Sequence, residues 1–302
     1  MNPGSRWLCG LLLATSCVAA LAGCAEPRPT FDAARAYANL TRQTQFGPRI
    51  PGTSAHEACL DWMRAELGSR GDTVIAQEFR GAVLGSPDSA QMTNLIVRFR
   101  PTAKHRILIG AHWDTRSFAD NDPDSTNWRK PIDGANDGGS GVAILMELAR
   151  AFDSIPPPMG IDLVFLDGED MGGPGDLPGD WCQGSRYFSS HLTSRYEWGA
   201  ILDMVGGKDL RLPYEGYSQK LAPEVVDRIW KAAEKLGETS FQRVRAEDVY
   251  DDHMPFLMRG IKVIDLIDFD YRWWHTIHDT ADNCSAESLG TLGRVLLAVI
   301  YE

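Results

Sequence analysis

Three short runs constrain this chain more than anything else in it: Ile107-Leu-Ile, Ile161-Asp-Leu-Val-Phe-Leu and Val263-Ile-Asp-Leu-Ile are almost continuously apolar. A strand with one wet face alternates apolar and polar residues. A run without alternation is buried on both faces, which requires a sheet covered by helices on each side. Spacing predicts strands at Thr73–Phe79, Thr93–Phe99, Arg106–Ala111, Ile161–Leu166, Gly199–Val205 and Lys262–Ile267. Helical periodicity recurs at Phe31–Thr44, Ala55–Leu67, Gly141–Phe152, Ala222–Leu236 and Glu287–Tyr301. The expected fold is α/β, a three-layer α/β/α sandwich around a mixed, mostly parallel twisted sheet.

Sites in such sheets gather at the carboxyl ends of the strands. The polar residues there are His112 and Asp114, then Asp167, Glu169 and Asp170, then Asp203, then Asp268 and Asp270. So many carboxylates in one place need a cation. His112-Trp-Asp114 puts two polar side chains on one face of a strand end. Gly134-Ala-Asn-Asp-Gly-Gly-Ser-Gly141 surrounds Asp137 with glycines that allow a sharp turn and close backbone approach. Glu169-Asp170 is read as closing a buried strand, its two side chains pointing to opposite sides. Trp274-His275-Thr276 adds a late imidazole. Carboxylates with imidazole and an open position are the usual catalytic zinc set. Each piece also has a plainer reading: a surface turn for His112 and Asp114, a solvated pair for Glu169 and Asp170, a helix N-cap for Asp137, a packed loop residue for His275.

The ends and the composition set the context. Arg6 followed by the apolar stretch Leu8–Leu21 reads as a signal peptide, too short and interrupted to span a bilayer comfortably. It runs into Leu21-Ala-Gly-Cys24, which resembles a bacterial lipobox. The expected organisation is therefore a lipoprotein signal peptide at 1–23, a short linker at 24–30 and one catalytic domain at 31–302. Cys24 would carry a lipid holding the exported protein on a bacterial membrane, facing the periplasm or the cell exterior. A net charge of −11 without a Lys/Arg block argues against nucleic acid as a partner. Cys59, Cys182 and Cys284 are too scattered for a disulfide framework, and no Cys-x-x-Cys pair offers a thiolate metal site. The irregular runs Ser117–Asp133 and Met171–Asp180 interrupt regular segments, as functional loops often do. The first is rich in carboxylates but lacks the ligand spacing of a calcium loop.

Taken in order, Gly110-Ala-His-Trp-Asp-Thr, Gly134-Ala-Asn-Asp-Gly-Gly-Ser-Gly, Phe165-Leu-Asp-Gly-Glu-Asp, Leu202-Asp-Met-Val-Gly and Trp274-His-Thr resemble the zinc aminopeptidase superfamily. Within it, the chain is similar to the zinc-dependent glutaminyl-peptide cyclotransferases (glutaminyl cyclases), particularly bacterial ones of the animal type. Three segments carry that finer likeness: the run from His112 to Asp124, Trp181-Cys-Gln-Gly-Ser-Arg-Tyr-Phe, and Asp251-Asp-His-Met-Pro-Phe-Leu-Met-Arg-Gly260. The resemblance implies zinc bound by Asp137, Asp170 and His275, with His112 a possible extra ligand. It implies Glu169 as general acid/base, Asp203 and Asp251 as a hydrogen-bonded carboxylate pair beside it, and Trp181 and Trp274 as pocket walls. Asp170 stands where the animal cyclases have Glu, and Asp265 where they have His.

A cyclase of this kind would take peptide or protein N-termini as substrate, converting N-terminal glutamine to pyroglutamate with release of ammonia, with one zinc per chain. The rival is a zinc aminopeptidase, for which His112, Asp137, Asp170, Asp203 and His275 supply ligands for two zincs sharing Asp137. A third reading is a non-catalytic surface lipoprotein. His278, three residues after His275, is expected at the surface rather than as a ligand.

Overall fold

The computed structural model describes Met1, residues 27–173 and residues 180–302. Residues 2–26, which hold nearly all of the expected signal peptide, Cys24 and the start of the expected linker, lie outside the described residues, as does the middle of the Met171–Asp180 run.

Six strands form one sheet in the order β1-β2-β4-β3-β5-β8. β1 (Thr73–Ala82) and β2 (Ser89–Phe99) make an antiparallel hairpin, and β2 runs antiparallel to β4 (Gly160–Leu166). From there β3 (Arg106–His112), β5 (Gly199–Asp203) and β8 (Val263–Ile267) continue parallel to β4. The predicted strands are all present. β3, β4, β5 and β8 are buried along their full length, as expected of runs that do not alternate.

Burial on two faces means two cores. Val97, Ile109, Leu163, Ala200 and Leu266 face the larger one. It is covered by α1 (Ala33–Thr44), α2 (Ser54–Leu67), α3 (Gly139–Ser154), α6 (Pro223–Leu236) and α8 (Ala286–Ile300). The alternate residues Ile96, Leu108, Val164, Ile201 and Val263 face a smaller core. Phe188 of α4 (Gln183–Ser190) and Phe256 of α7 (Met254–Leu257) close it. The sandwich has three layers, one thick and one thin.

The thick layer is centred on α3, which is buried on nearly every side and so lacks the polar stripe of a surface helix. Its start approaches β5 so closely that a Cβ on Gly141 would lie 2.2 Å from the Leu202 carbonyl oxygen. That contact fixes the Gly-rich turn before α3 against the ends of β3 and β5. Periodicity did not expose four small elements: α4, α5 (Gly216–Leu221), α7, and the two-stranded ribbon of β6 (Leu212–Tyr214) with β7 (Phe241–Arg245). All are too short to show a period.

Candidate active site

β3, β4, β5 and β8 all deliver their carboxyl ends to one edge of the sheet. His112 is the last residue of β3 and Asp203 the last of β5. Asp137 sits in the turn before α3. That turn needs Gly138, whose φ is +77° and whose Cβ, if present, would lie 2.9 Å from His112 Cε1 and from the Asp114 carbonyl oxygen.

Glu169 and Asp170 are not on a strand, contrary to expectation. β4 ends at Leu166, and Gly168, at φ +73°, turns the chain into a loop. The carboxylate of Asp114 holds that loop by accepting the backbone N–H groups of Glu169 and Asp170, each at 3.1 Å. Both side chains therefore face one pocket, their directions set by hydrogen bonds and not by strand pleat. Asp167 points away and accepts from His56 (3.0 Å) and from Thr93 N (2.6 Å). Asp268 is likewise used structurally, accepting from the Arg211 N–H.

Asp137 joins two groups of donor atoms. His112 Nε2 lies 3.1 Å from Asp137 Oδ1 and 3.2 Å from Asp203 Oδ1. His275 Nε2 lies 3.6 Å from Asp137 Oδ2 and 3.3 Å from Asp170 Oδ1. Both groups, His112–Asp137–Asp203 and Asp137–Asp170–His275, are compact enough to hold a metal ion. The second fits a small divalent cation by its chemistry. Asp137 Oδ2 and Asp170 Oδ2 are buried without a hydrogen-bond partner among the described residues, a costly state unless a cation completes it.

Supporting residues orient this set. Asp120 Oδ1 is 3.4 Å from His275 Nδ1, so the other ring nitrogen faces Asp137 and Asp170. Arg116 donates two hydrogen bonds to Asp120 and one to Asp170 Oδ1 at 3.0 Å. Asp279 accepts the backbone N–H groups of Asn136 (2.9 Å) and Asp137 (3.1 Å). His275 itself has φ +54°, a left-handed conformation that a non-glycine residue adopts only under constraint.

The field among these groups is uneven. Burial opposes charge on His112, but Asp114, Asp137 and Asp203 outweigh it and hold the imidazole well above its ordinary range. Burial likewise opposes charge on His275, and Asp170, Asp120 and Asp137 bring it up to about 9. Burial, with Asp170, Asp251 and Asp252 nearby, pushes Glu169 well above the usual carboxylate range. Asp251 is raised to about 6 by burial and the charge of Asp203. Asp265 lies beside it, likewise pushed well above the usual carboxylate range by burial and by the charge of Asp251, and Asp203 Oδ1 is turned to His112.

The pocket above these groups has a volume of about 410 Å³ and brings together Asp137, Glu169, Asp170, Trp181, Asp203, Asp251, Trp274 and His275. His112 lies behind it, buried. Trp181 stacks under the Arg116 guanidinium at 4.8 Å, and Trp274 packs on Phe269 and His275. Tyr250, Phe269 and Ile267 complete the apolar wall. His278 is at the surface against Trp273. Sequence reasoning singled out Asp114 but not its role as acceptor for the Glu169–Asp170 loop, and it missed Arg116, Asp120, Asp279, Tyr250 and Phe269. The one signal available was Arg116 and Asp120 four residues apart in an irregular acidic run.

A model of peptidase family M28 matches residues 94–300. The glutaminyl-peptide cyclotransferase of Bothrops jararaca is 28% identical over 247 residues, covering 70% of this chain and 65% of that protein. The chain thus spans about two thirds of the length of this relative. Among solved structures, the glutaminyl cyclase of Bacteroides thetaiotaomicron bound to N-acetylhistamine matches with a TM-score of 0.86 and 38% identity, over 91% of this chain and 99% of that one. A leucine aminopeptidase precursor from the same organism matches equally well, with a TM-score of 0.87 and 39% identity over the same shares.

Proposed function

The chain belongs to peptidase family M28, and from that premise we propose that it is a zinc-assisted glutaminyl-peptide cyclotransferase acting on peptides with N-terminal glutamine. The observation that carries the reading is geometric: Glu169 stands in an aromatic-walled pocket beside three converging metal donors, Asp137, Asp170 and His275. Likeness to cyclases of the same length supports it.

Asp137, Asp170 and His275 are the proposed zinc ligands. Zinc held there supplies a Lewis acid for the side-chain carbonyl under attack. The chain's own residues do the rest. Trp181 and Trp274 wall the glutamine side chain and exclude water, holding amine and amide together so that ring closure competes with hydrolysis. Glu169 accepts a proton from the attacking α-amine and returns it to the departing nitrogen, which leaves as ammonia. An N-terminal amine titrates near 8, so a raised carboxyl is better matched to that exchange than an ordinary one. The charge of Asp251 beside Glu169 helps to maintain the raised value.

One zinc per chain is part of the proposal. Its support is that His112 Nε2 already lies 3.1 Å and 3.2 Å from Asp137 and Asp203, the two carboxylates a second ion would need. The aminopeptidase reading rests on the same two triads sharing Asp137 and on the likeness to the aminopeptidase precursor. Export on a lipid at Cys24 also belongs to the proposal, supported by Leu8–Leu21 and the Leu-Ala-Gly-Cys24 run.

Incubating the purified protein with a Gln-Ala-Ala peptide separates the two. Ammonia and a blocked N-terminus, abolished by a chelator and restored with one equivalent of zinc, are expected. Free glutamine with two zincs per chain would replace the cyclase by the peptidase. Glu169→Gln is expected to lower kcat at least ~100-fold with zinc content unchanged; retained turnover would remove Glu169 from the proton path.

A further inference from the structure

Beside the active pocket runs a second groove of about 680 Å³, and the two share Tyr250 as a lining residue. Their linings have opposite character. Seven carboxylates face the active pocket. The groove is lined by Arg80, Arg186 and Arg259 with aromatic rings between them, and by no acidic residue. In a chain of net charge −11 this concentration of one positive sign stands out.

The groove is built on fixed parts. Gln183 of α4 exchanges hydrogen bonds with the backbone of Ala82 (2.9 and 3.0 Å), tying the end of β1 to α4. Phe79 and Tyr187 stack across that joint with centroids 5.0 Å apart. Ser89 holds the Arg80 guanidinium through Nε (3.2 Å) and Nη2 (2.6 Å), and the Pro255 carbonyl accepts from Arg259 Nη1 at 3.3 Å. Among the described residues, neither Arg80 nor Arg259 has a carboxylate within salt-bridge distance, so their charge is directed at whatever enters.

We propose that this groove binds an acidic side chain, Asp or Glu, of the peptide just downstream of its N-terminal glutamine. The proposal rests on the cyclotransferase reading, because it needs a substrate whose N-terminus lies in the acidic pocket and whose chain leaves past Tyr250. Such a substrate is oriented by both fields at once: its amine toward the carboxylates, its acid toward the arginines. Arg80, Arg186 and Arg259 are exposed, and guanidinium–carboxylate pairs at an exposed surface give modest affinity, strongly weakened by salt.

The test compares Gln-Ala-Ala-Ala-Ala with peptides carrying Glu or Lys at each position from the second to the fourth. The expected result is a kcat/KM for the best Glu peptide roughly five- to tenfold above the Ala peptide. The gain should lie in KM, as for binding shared by ground and transition states, and shrink in 0.5 M salt. In Arg80→Gln/Arg259→Gln the Glu-to-Ala ratio falls to about one, and in Arg259→Glu the preference turns toward Lys. Equal turnover of Glu, Ala and Lys peptides by wild type overturns the groove assignment and leaves the cyclase reading standing. If no peptide is cyclised, the cyclase reading fails, and calorimetry with the same peptides decides the groove separately. Tighter binding of Glu peptides that is lost in the double variant upholds it, and equal binding overturns it.

Discussion

His275 shows how much of this site is made by residues that would never touch a substrate. Its ring carries a proposed ligand atom, Nε2, only because Nδ1 faces Asp120, which Arg116 holds from the other side. Burial works against ionising Asp120, but Arg116 and His275 hold it well below the usual carboxylate range, so it stays charged at any working pH. Asp120→Asn keeps the shape and removes the charge. The expected outcome is zinc affinity weakened by about 10- to 100-fold, with a lower melting temperature of the metal-free protein as well, because buried Arg116 loses a charge it pairs with. A competition titration against a chelating dye measures it, and unchanged affinity would mean that Asp120 does not orient the ligand. This layer was the least legible in the sequence. The candidate donors Asp137, Asp170 and His275 stand in recognisable local strings. Asp114, Arg116 and Asp120 act through hydrogen bonds and ion pairs that reach far along the chain, from Asp120 to His275 at the longest, which spacing does not encode.

At the scale of elements, the strand ends and the Gly-rich turn fix where the donors meet. The three buried strands were legible because complete burial writes itself as an unbroken apolar run. The position of Glu169 and Asp170 was not, since a glycine turn and the Asp114 acceptor decide it after the strand has ended. Gly138 and Gly237 separate backbone cost from crowding. Both have positive φ, +77° and +74°, Gly237 in the left-handed helical well and Gly138 outside it at ψ −50°; a Cβ at Gly237 meets nothing within 4 Å, whereas one at Gly138 would press on His112. Gly237→Ala is expected to destabilise by about 1 kcal/mol with activity intact. Gly138→Ala should cost roughly 2 kcal/mol or more, and with it most of the zinc affinity. Denaturant melts and metal titration of the two variants check this; equal effects on zinc would show that the turn does not position the site.

For the whole molecule, so many buried ionisable groups at one sheet edge tie stability to protons and to metal. In the metal-free protein, burial raises Asp279 to about 7, aided by Asp137, and raises Asp167 and Asp251 to about 6. An unfolded Asp titrates near 3.9. Between those values the folded state holds more protons than the unfolded one, so stability falls as pH rises through that window. His275, raised to about 9 from 6.5, acts in the same direction, its contribution complete below 6.5 and lost as pH rises toward 9. The lowered groups Glu215, near 2, and Asp170 matter only in acid, below about pH 4.5. From pH 5.5 to 8 the metal-free protein should therefore lose stability steadily. Each net proton held by the folded state corresponds to about 1.4 kcal/mol per pH unit, or roughly 3–6 °C in Tm for a chain somewhat smaller than this one. Zinc reverses the trend at the site, because its proposed ligands Asp137 and His275, both raised, must shed protons to bind it. The expected scans show chelated protein melting higher at pH 5.5 than at pH 8, and zinc-loaded protein with that gap narrowed or inverted. Parallel curves with and without zinc would mean that these buried carboxylates are not linked to metal binding, and that the acidic edge is held together by something other than a cation.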